Sequence, residues 1–564
     1  MAKVNRKHIQ EAYIEGIRTA LLVDDRFPTF QTSLNGKHVE EVEKERALKL
    51  WKICRDRKWL CDVESDIDKA RGHHLHQSDL LVLDYHLDTT REEDPSKALG
   101  VIQELSCTPF FNLVVVYTAE PELDGVARDI AFCLGAGGEP CSDEERASLD
   151  ELISEKEDLG EEIPKPSKRV LNAFMKGRRD NGFLQEVIDL FGHGPQVPKL
   201  VQRIIEHYFE KKISGIGSNV DRRRGRSVEF KAAEDPAKLK WIQSGNVFVV
   251  VVSKTTSPFR LISKLEKALL EWSPSPVHLM LAHAKNEIEK GGVEQSAAIL
   301  NDRTKEAAWM FHASSNDGPA DHEEKVGQLY SGLFEALGNN VTPKVAEFGA
   351  RFLEPKAPKV ALATAKKMAK LSDDVTKEDI VFKLNEFLAT TKFTGRQITT
   401  GVVFREKTAA NNSDSYWLCV SPACGLVPGQ QDEWERGLEP SLPISVMRLS
   451  LTKASDAINK DLKTATRCRR IFLEADGKRL SLVMMSEESR TPNLEKVFVD
   501  GGGKVSAGDT FTGHIVGRNG HRKIELMSKT FEVIAILRPE YANRALAQAG
   551  NHASRIGVDY VNLP

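Results

Sequence analysis

Four short apolar runs constrain this chain most: TALLVDD at 19–25, DLLVLD at 79–84, NLVVVYT at 112–118 and GNVFVVVVSK at 245–254. Each is continuous rather than alternating, the pattern of a strand covered on both faces. Helical stretches lie between them: residues 38–55, with Ala47, Leu50, Trp51 and Cys54 on one face, a stretch near 96–106, and FRLISKLEKALLEW at 259–272. KWLCDVES at 58–65 reads as a further strand, and Ile9, Tyr13 and Ile17 recur at helical spacing within 5–18. Strands alternating with helices predict a multidomain α/β chain whose first domain is a five-stranded parallel sheet with helices on both faces.

The alternation is interrupted once and then ends. Residues 125–212 are rich in charge and helix formers, as in SDEERASLDELISEKEDL, a polar loop follows at 214–227, and 125–240 as a whole reads as a large helical insertion between the fourth and fifth strands. The first domain therefore spans 1–275. A helical region or linker follows at 276–372, ending in the Pro, Lys and Ala-rich EPKAPKVALATAKKMAK. From 373 to 564 the texture is a series of short strands punctuated by turns such as EADGKR and DGGGKVSAGD, closing on a helix. These residues read as a β-rich C-terminal domain, barrel or sandwich. A length of 564 residues suits about three or four domains.

Composition narrows the class. A net charge of −3 gives no global attraction to nucleic acid, so such binding has only the local patch RRRGR at 222–226 to rest on. That patch has no interleaved aromatics, and a solvated loop is its simpler account. Eight cysteines without a dense framework fit a reducing cytoplasm. The longest aliphatic run, VFVVVV at 247–252, is too short to cross a bilayer. The expectation is a soluble cytoplasmic protein with no membrane partner.

The strand ends carry the chemistry. Asp24 and Asp25 end the first strand, Asp84 the third, Thr118 the fourth, and Lys254 follows the fifth. In open parallel sheets ligands bind at the carboxyl ends of the strands. Three carboxylates crowded there repel one another unless a cation sits among them, and an oxygen-rich, incompletely caged site suits Mg²⁺. A lysine and a threonine hydroxyl would complement the oxygens of a phosphoryl group carried by a carboxylate. Taken singly, Asp84 reads as a strand-ending turn residue and Lys254 as a side chain reaching solvent.

The order LLVDD, VLDYHL, VVYTAE and VVVVSK resembles the receiver domain of bacterial response regulators, over residues 15–124 and 241–274. The resemblance implies a flavodoxin-like fold in which Asp84 accepts a phosphoryl group. It implies Mg²⁺ on Asp24, Asp25, Asp84 and the backbone carbonyl of His86, with Thr118 and Lys254 contacting the phosphoryl oxygens. A histidine kinase or GHKL-type ATPase would be the donor, and a homodimer is compatible with it. The closest pattern is that of divergent, insertion-bearing receivers of bacterial defence operons. Departures are visible: the insertion falls where the fourth helix lies, Thr255 replaces the usual proline, and Val251 occupies the region of the usual aromatic.

Other families use some of the same residues. A haloacid-dehalogenase-like phosphatase also uses a strand-end Asp, but needs an acid two positions later, where this chain has His86, and carries its paired acids after the lysine. A degenerate receiver serving only for docking is another reading, and a functional receiver could signal through its C-terminal region or act as a phosphate sink. Of the remaining motifs, HHLH at 73–76 lacks a second ligand cluster, and Cys419 and Cys424 are loosely spaced for zinc, with only Cys468 downstream. GGGK at 501–504 reads as a hairpin turn, and Arg538, Arg544 and Arg555 as part of a helix packed on the β domain.

Overall fold

The computed structural model describes residues 4–29, 39–67, 75, 78–87, 94–137, 141–213, 228–232, 238–291, 302–314, 319–353, 355–406, 415–426, 431–452, 455–465, 470–485, 491–518 and 523–554. Most of HHLH, all of RRRGR, Cys468 and Arg555 lie outside these residues. The chain forms two compact units, one of residues 1–315 and 325–355, the other of 316–324 and 356–564.

The first unit is built on a sheet of seven strands: β1 (Thr19–Val23), β2 (Leu60–Glu64), β3 (Leu80–Leu83), β4 (Asn112–Thr118), β5 (Val228–Lys231), β6 (Lys240–Ser244) and β7 (Val247–Ser253). Their order is β2-β1-β3-β4-β7-β6-β5. The pairs from β2 to β7 are parallel, whereas β6 pairs antiparallel with β7 and β5 with β6. The expectation of a five-stranded, wholly parallel sheet is thus corrected, because the end of the 125–240 stretch adds β5 and β6 to the sheet edge. The physical cause is the tight connection at Gly245 (φ 53°), which turns the chain back on itself and pairs Ser244 with Val247.

Every residue of β4, and Val247 to Val252 of β7, is buried, which explains the unbroken valine runs. Alternate side chains feed two cores. Val114, Val116, Val249 and Val251 join one with the helices Ser96–Cys107 and Leu123–Cys133. Leu113, Val115, Phe248 and Val250 join the other with residues of Arg6–Ile14, Glu41–Asp56 and Leu261–Trp272. The helices Asp143–Asp158, Lys168–Met175, Asn181–Phe191 and Val197–Lys212 all extend the first of these cores. On Glu41–Asp56 the buried stripe is Glu43, Ala47, Leu50 and Cys54. Trp51, expected on that face, is exposed and carries the Arg55 guanidinium 5.6 Å from its ring centre. It sits one step off the stripe, where cation–π contact replaces burial.

The second unit contains β8 (Thr390–Thr391), β9 (Val402–Glu406), β10 (Tyr416–Cys419), β11 (Leu442–Leu451), β12 (Arg470–Ala475), β13 (Lys478–Val483), β14 (Asn493–Val499), β15 (Thr510–Arg518) and β16 (Ile524–Leu537). Antiparallel pairing runs β10-β9-β16-β15-β14-β11, and β11 also pairs with β10, so six strands close into an up-and-down barrel. Closure leaves those six strands without a free edge. Inside lie Phe404, Trp417, Phe511, Phe531, Val446 and Val497. On the opposite side of the same strands Leu418 and Met447 pack with the hairpin β12–β13 and with Ala542, Ala545 and Ala549 of the helix Pro539–Ala553. The hairpin turns on Asp476 and Gly477, both with positive φ, and Asp500–Gly503 forms a 3₁₀ turn at the start of the 500–509 connection from β14 to β15, with Lys504 extended beyond it. No helix of the described residues is long and apolar enough to cross a membrane.

Phe531 is fully buried and stacks or edges against Phe404, Trp417 and Phe511. Phe531→Ala is expected to destabilise the second unit by about 3–5 kcal/mol, read as a lowered urea midpoint for that unit's unfolding. A midpoint unchanged from the wild type would show that the barrel interior is not the core of this unit.

Candidate functional site

Parallel strands all point the same way, so their carboxyl ends share one rim. Asp24 follows β1, Asp84 follows β3, Thr118 ends β4 and Lys254 follows β7. Backbone bonds hold this rim in register: Asp84 N–H donates to the Val23 carbonyl at 2.9 Å, Asp24 N–H to Glu64 at 3.2 Å, and Lys254 N–H to Thr118 at 2.7 Å. Asp24, Asp84 and Thr118 are buried, and Asp25 is half-buried.

Lys254 reaches across the rim. Its Nζ lies 2.7 Å from Asp24 Oδ2 and 2.7 Å from Asp84 Oδ2, with only 8% of its side chain exposed. Asp24, Asp25 and Asp84 each place a carboxylate oxygen within 4.8 Å of the others. Lys254 pairs with two of the three carboxylates, and the charge of Arg26 also bears on Asp25. Burial pushes the Asp24 carboxyl up to about 6, helped by Asp84 and opposed by Lys254. Burial and Asp84 raise Asp25 as well. Burial works against the charge on Lys254, but Asp24 and Asp84 outweigh it and hold the ammonium above its ordinary range. Asp25 Oδ1 is buried with no hydrogen-bond partner. A buried unpaired carboxylate oxygen beside two others fits a hard divalent cation with oxygen ligands.

Of the residues expected at the site, Asp24, Asp25, Asp84 and Lys254 come together, and Thr118 stands at the end of β4. The Thr118 hydroxyl accepts from Glu120 N–H at 3.1 Å and is held by its own turn. Among the sequence-flagged cysteines, Cys419 is fully buried inside the barrel, its thiol pushed up to about 12 by burial, while Cys424 is exposed. Sequence reading missed three further contacts. Tyr85 N–H donates to Asp84 Oδ1 at 2.8 Å, and Tyr85 OH to Asp129 Oδ2 at 2.9 Å. His86 Nε2 lies 2.9 Å from Glu120 Oε1. The sequence signal available was the pair of aromatic residues immediately after the strand-end aspartate, which have no reason to follow a simple turn.

Comparison with known families agrees with this geometry. Residues 16–162 match the family model described as a response receiver domain. The match covers β1 to β4 with Asp24, Asp25, Asp84 and Thr118 and ends well before β7, so Lys254 joins these acids by geometry alone. No curated protein and no solved structure matches the chain.

The raised Asp24 carboxyl has a defined consequence for stability. Below about pH 3.8 it is protonated whether the chain is folded or not; between there and about 6 the fold holds the proton and the unfolded chain does not. Stability contributed by this group thus falls as pH rises through that window, and the loss is complete above it. A bound cation offsets that loss only where the carboxylates are ionised. Mg²⁺ is expected to raise the melting temperature clearly at about pH 7.5 and little at about pH 5; an equal shift at both would exclude the acidic triad as its site. Lys254→Ala leaves Asp24 and Asp84 without their shared cation and is expected to lower metal-free stability by about 3–5 kcal/mol in urea unfolding. A neutral effect would mean that Lys254 does not hold the site together.

Proposed function

We propose that Asp84 accepts a phosphoryl group and that the protein signals through this modification as a two-component phosphoacceptor. The observation that supports the reading best is the buried cluster at the rim, three carboxylates with Lys254 bridging two of them. In the step, an Asp84 carboxylate oxygen forms a bond to phosphorus while the bond from phosphorus to its leaving group breaks. The leaving group keeps that electron pair and takes up a proton. Lys254, already donating to Asp84, faces the negative charge of the new group. The Thr118 hydroxyl accepts from Glu120 and keeps its own hydrogen for a phosphoryl oxygen. Mg²⁺ on Asp24, Asp25, Asp84 and the His86 backbone carbonyl would neutralise phosphoryl charge.

A histidine kinase or GHKL-type ATPase in the cytoplasm would be the phosphodonor, and the C-terminal unit the output, unless the protein is a phosphate sink. The defence-operon setting rests on the sequence resemblance alone. Stoichiometric acceptance is favoured over phosphatase turnover because the position two residues after Asp84 holds His86, engaged with Glu120, rather than a free acid.

With Mg²⁺ and acetyl phosphate, one phosphoryl group per chain is expected by intact mass, labile to hydroxylamine and absent from Asp84→Asn. Failure to form the adduct, with a cognate kinase also present, would leave a docking module. Sustained release of phosphate from phosphomonoesters would instead mark a phosphatase.

A further inference from the structure

The residue after the phosphoacceptor is tied to the inserted helices. Tyr85 is buried; its amide holds Asp84 Oδ1 and its phenol donates to Asp129 Oδ2. The same oxygen of Asp129 accepts from Lys212 Nζ at 2.6 Å. Asp129 lies on the helix Leu123–Cys133 and is 2% exposed. Lys212 is the last residue of the helix Val197–Lys212, near the end of the expected insertion.

A buried phenol needs a partner, but any backbone carbonyl would serve. A buried carboxylate needs a cation. Arg128, the nearest basic residue in sequence, pairs with Asp124 instead. The ammonium that neutralises Asp129 comes from a helix 83 positions further along the chain. Its own side chain is 46% exposed and lines a cavity of about 690 Å³ with Ile153, Ile163, Ile204 and Tyr208. One end of the chain of contacts is therefore the buried phosphoacceptor, and the other is open to solvent on the inserted helices.

We infer that Tyr85, Asp129 and Lys212 form a relay through which the inserted helices sense, and in turn set, the phosphorylation state of Asp84; it rests on the phosphoacceptor reading above. Tyr85 N–H donates to a charged carboxylate, a bond strengthened by that charge. Once Asp84 carries a phosphoryl group its carboxylate has become an acyl phosphate, whose remaining carbon-bound oxygens are weaker acceptors. Tyr85 is then held less firmly from the Asp84 side, and the change passes through its ring to Asp129 and Lys212. In the other direction, losing the Lys212 ammonium loosens Asp129 and Tyr85, and with them the placing of Asp84 for attack. Lys212 and Asp129 are positioning residues that act on Asp84 through Tyr85.

The test uses the full chain with Mg²⁺ and acetyl phosphate, following adduct mass and amide hydrogen exchange together. In the wild type, adduct formation is expected to change exchange across residues 197–212. Tyr85→Phe and Lys212→Met are expected to form the adduct about 3- to 10-fold more slowly and without that exchange change. Lys212→Arg, which keeps the cation, is expected to restore both. An adduct with no exchange change in the wild type, or with the change retained in both variants, overturns the relay and leaves the phosphoacceptor reading standing. No adduct in the wild type overturns both.

Discussion

The single ammonium of Lys254 against two buried carboxylates is the constraint on which the first unit's rim depends. Asp24 and Asp84 leave adjacent strands, β1 and β3, and Lys254 leaves β7 two strands further on. Their meeting at 2.7 Å requires the parallel register of the intervening β4 to be correct along its whole length. A slip of one residue in β7 would turn the lysine to the other face of the sheet. The unbroken burial of β4 and β7 fixes that register, so the apolar core and the charged rim specify each other.

The same rim is electrostatically tight. Burial first, and then the neighbouring Asp84, raise the Asp24 and Asp25 carboxyls, while Lys254 opposes both. Such a site responds strongly to anything that changes its charge, whether proton, divalent metal or phosphoryl group. The Tyr85–Asp129–Lys212 contacts give that response a route into helices that extend one core of the sheet.

Much of this was legible in the sequence because strands buried on both faces must be written as continuous apolar runs, and what ends them stands out. LLVDD, LLVLD, VVYT and VVVVSK mark four strand ends for that reason. Other features were not legible. Trp51 fits the helical period nearly as well as Leu50, and its exposure depends on which neighbour reaches it. β5 and β6 carry charged and polar residues amid a highly charged stretch, and become strands through pairing with β7 at Gly245. The second unit's strands were readable one by one, but a barrel and a sandwich share the same alternation. Only the additional pairing of β11 with β10 closes the ring.

The sequence by itself determined that acids, a hydroxyl and a lysine stand at the ends of buried parallel strands, because strand direction and burial follow from local pattern. Tertiary structure alone decided which of these groups touch. Lys254 bridges Asp24 and Asp84, Thr118 turns to its own loop, and Asp129 draws Lys212 from a distant helix to Tyr85. Such contacts depend on distances of a few ångströms between residues far apart in the chain. Those distances are set by how helices seat on a sheet, and no local periodicity records them.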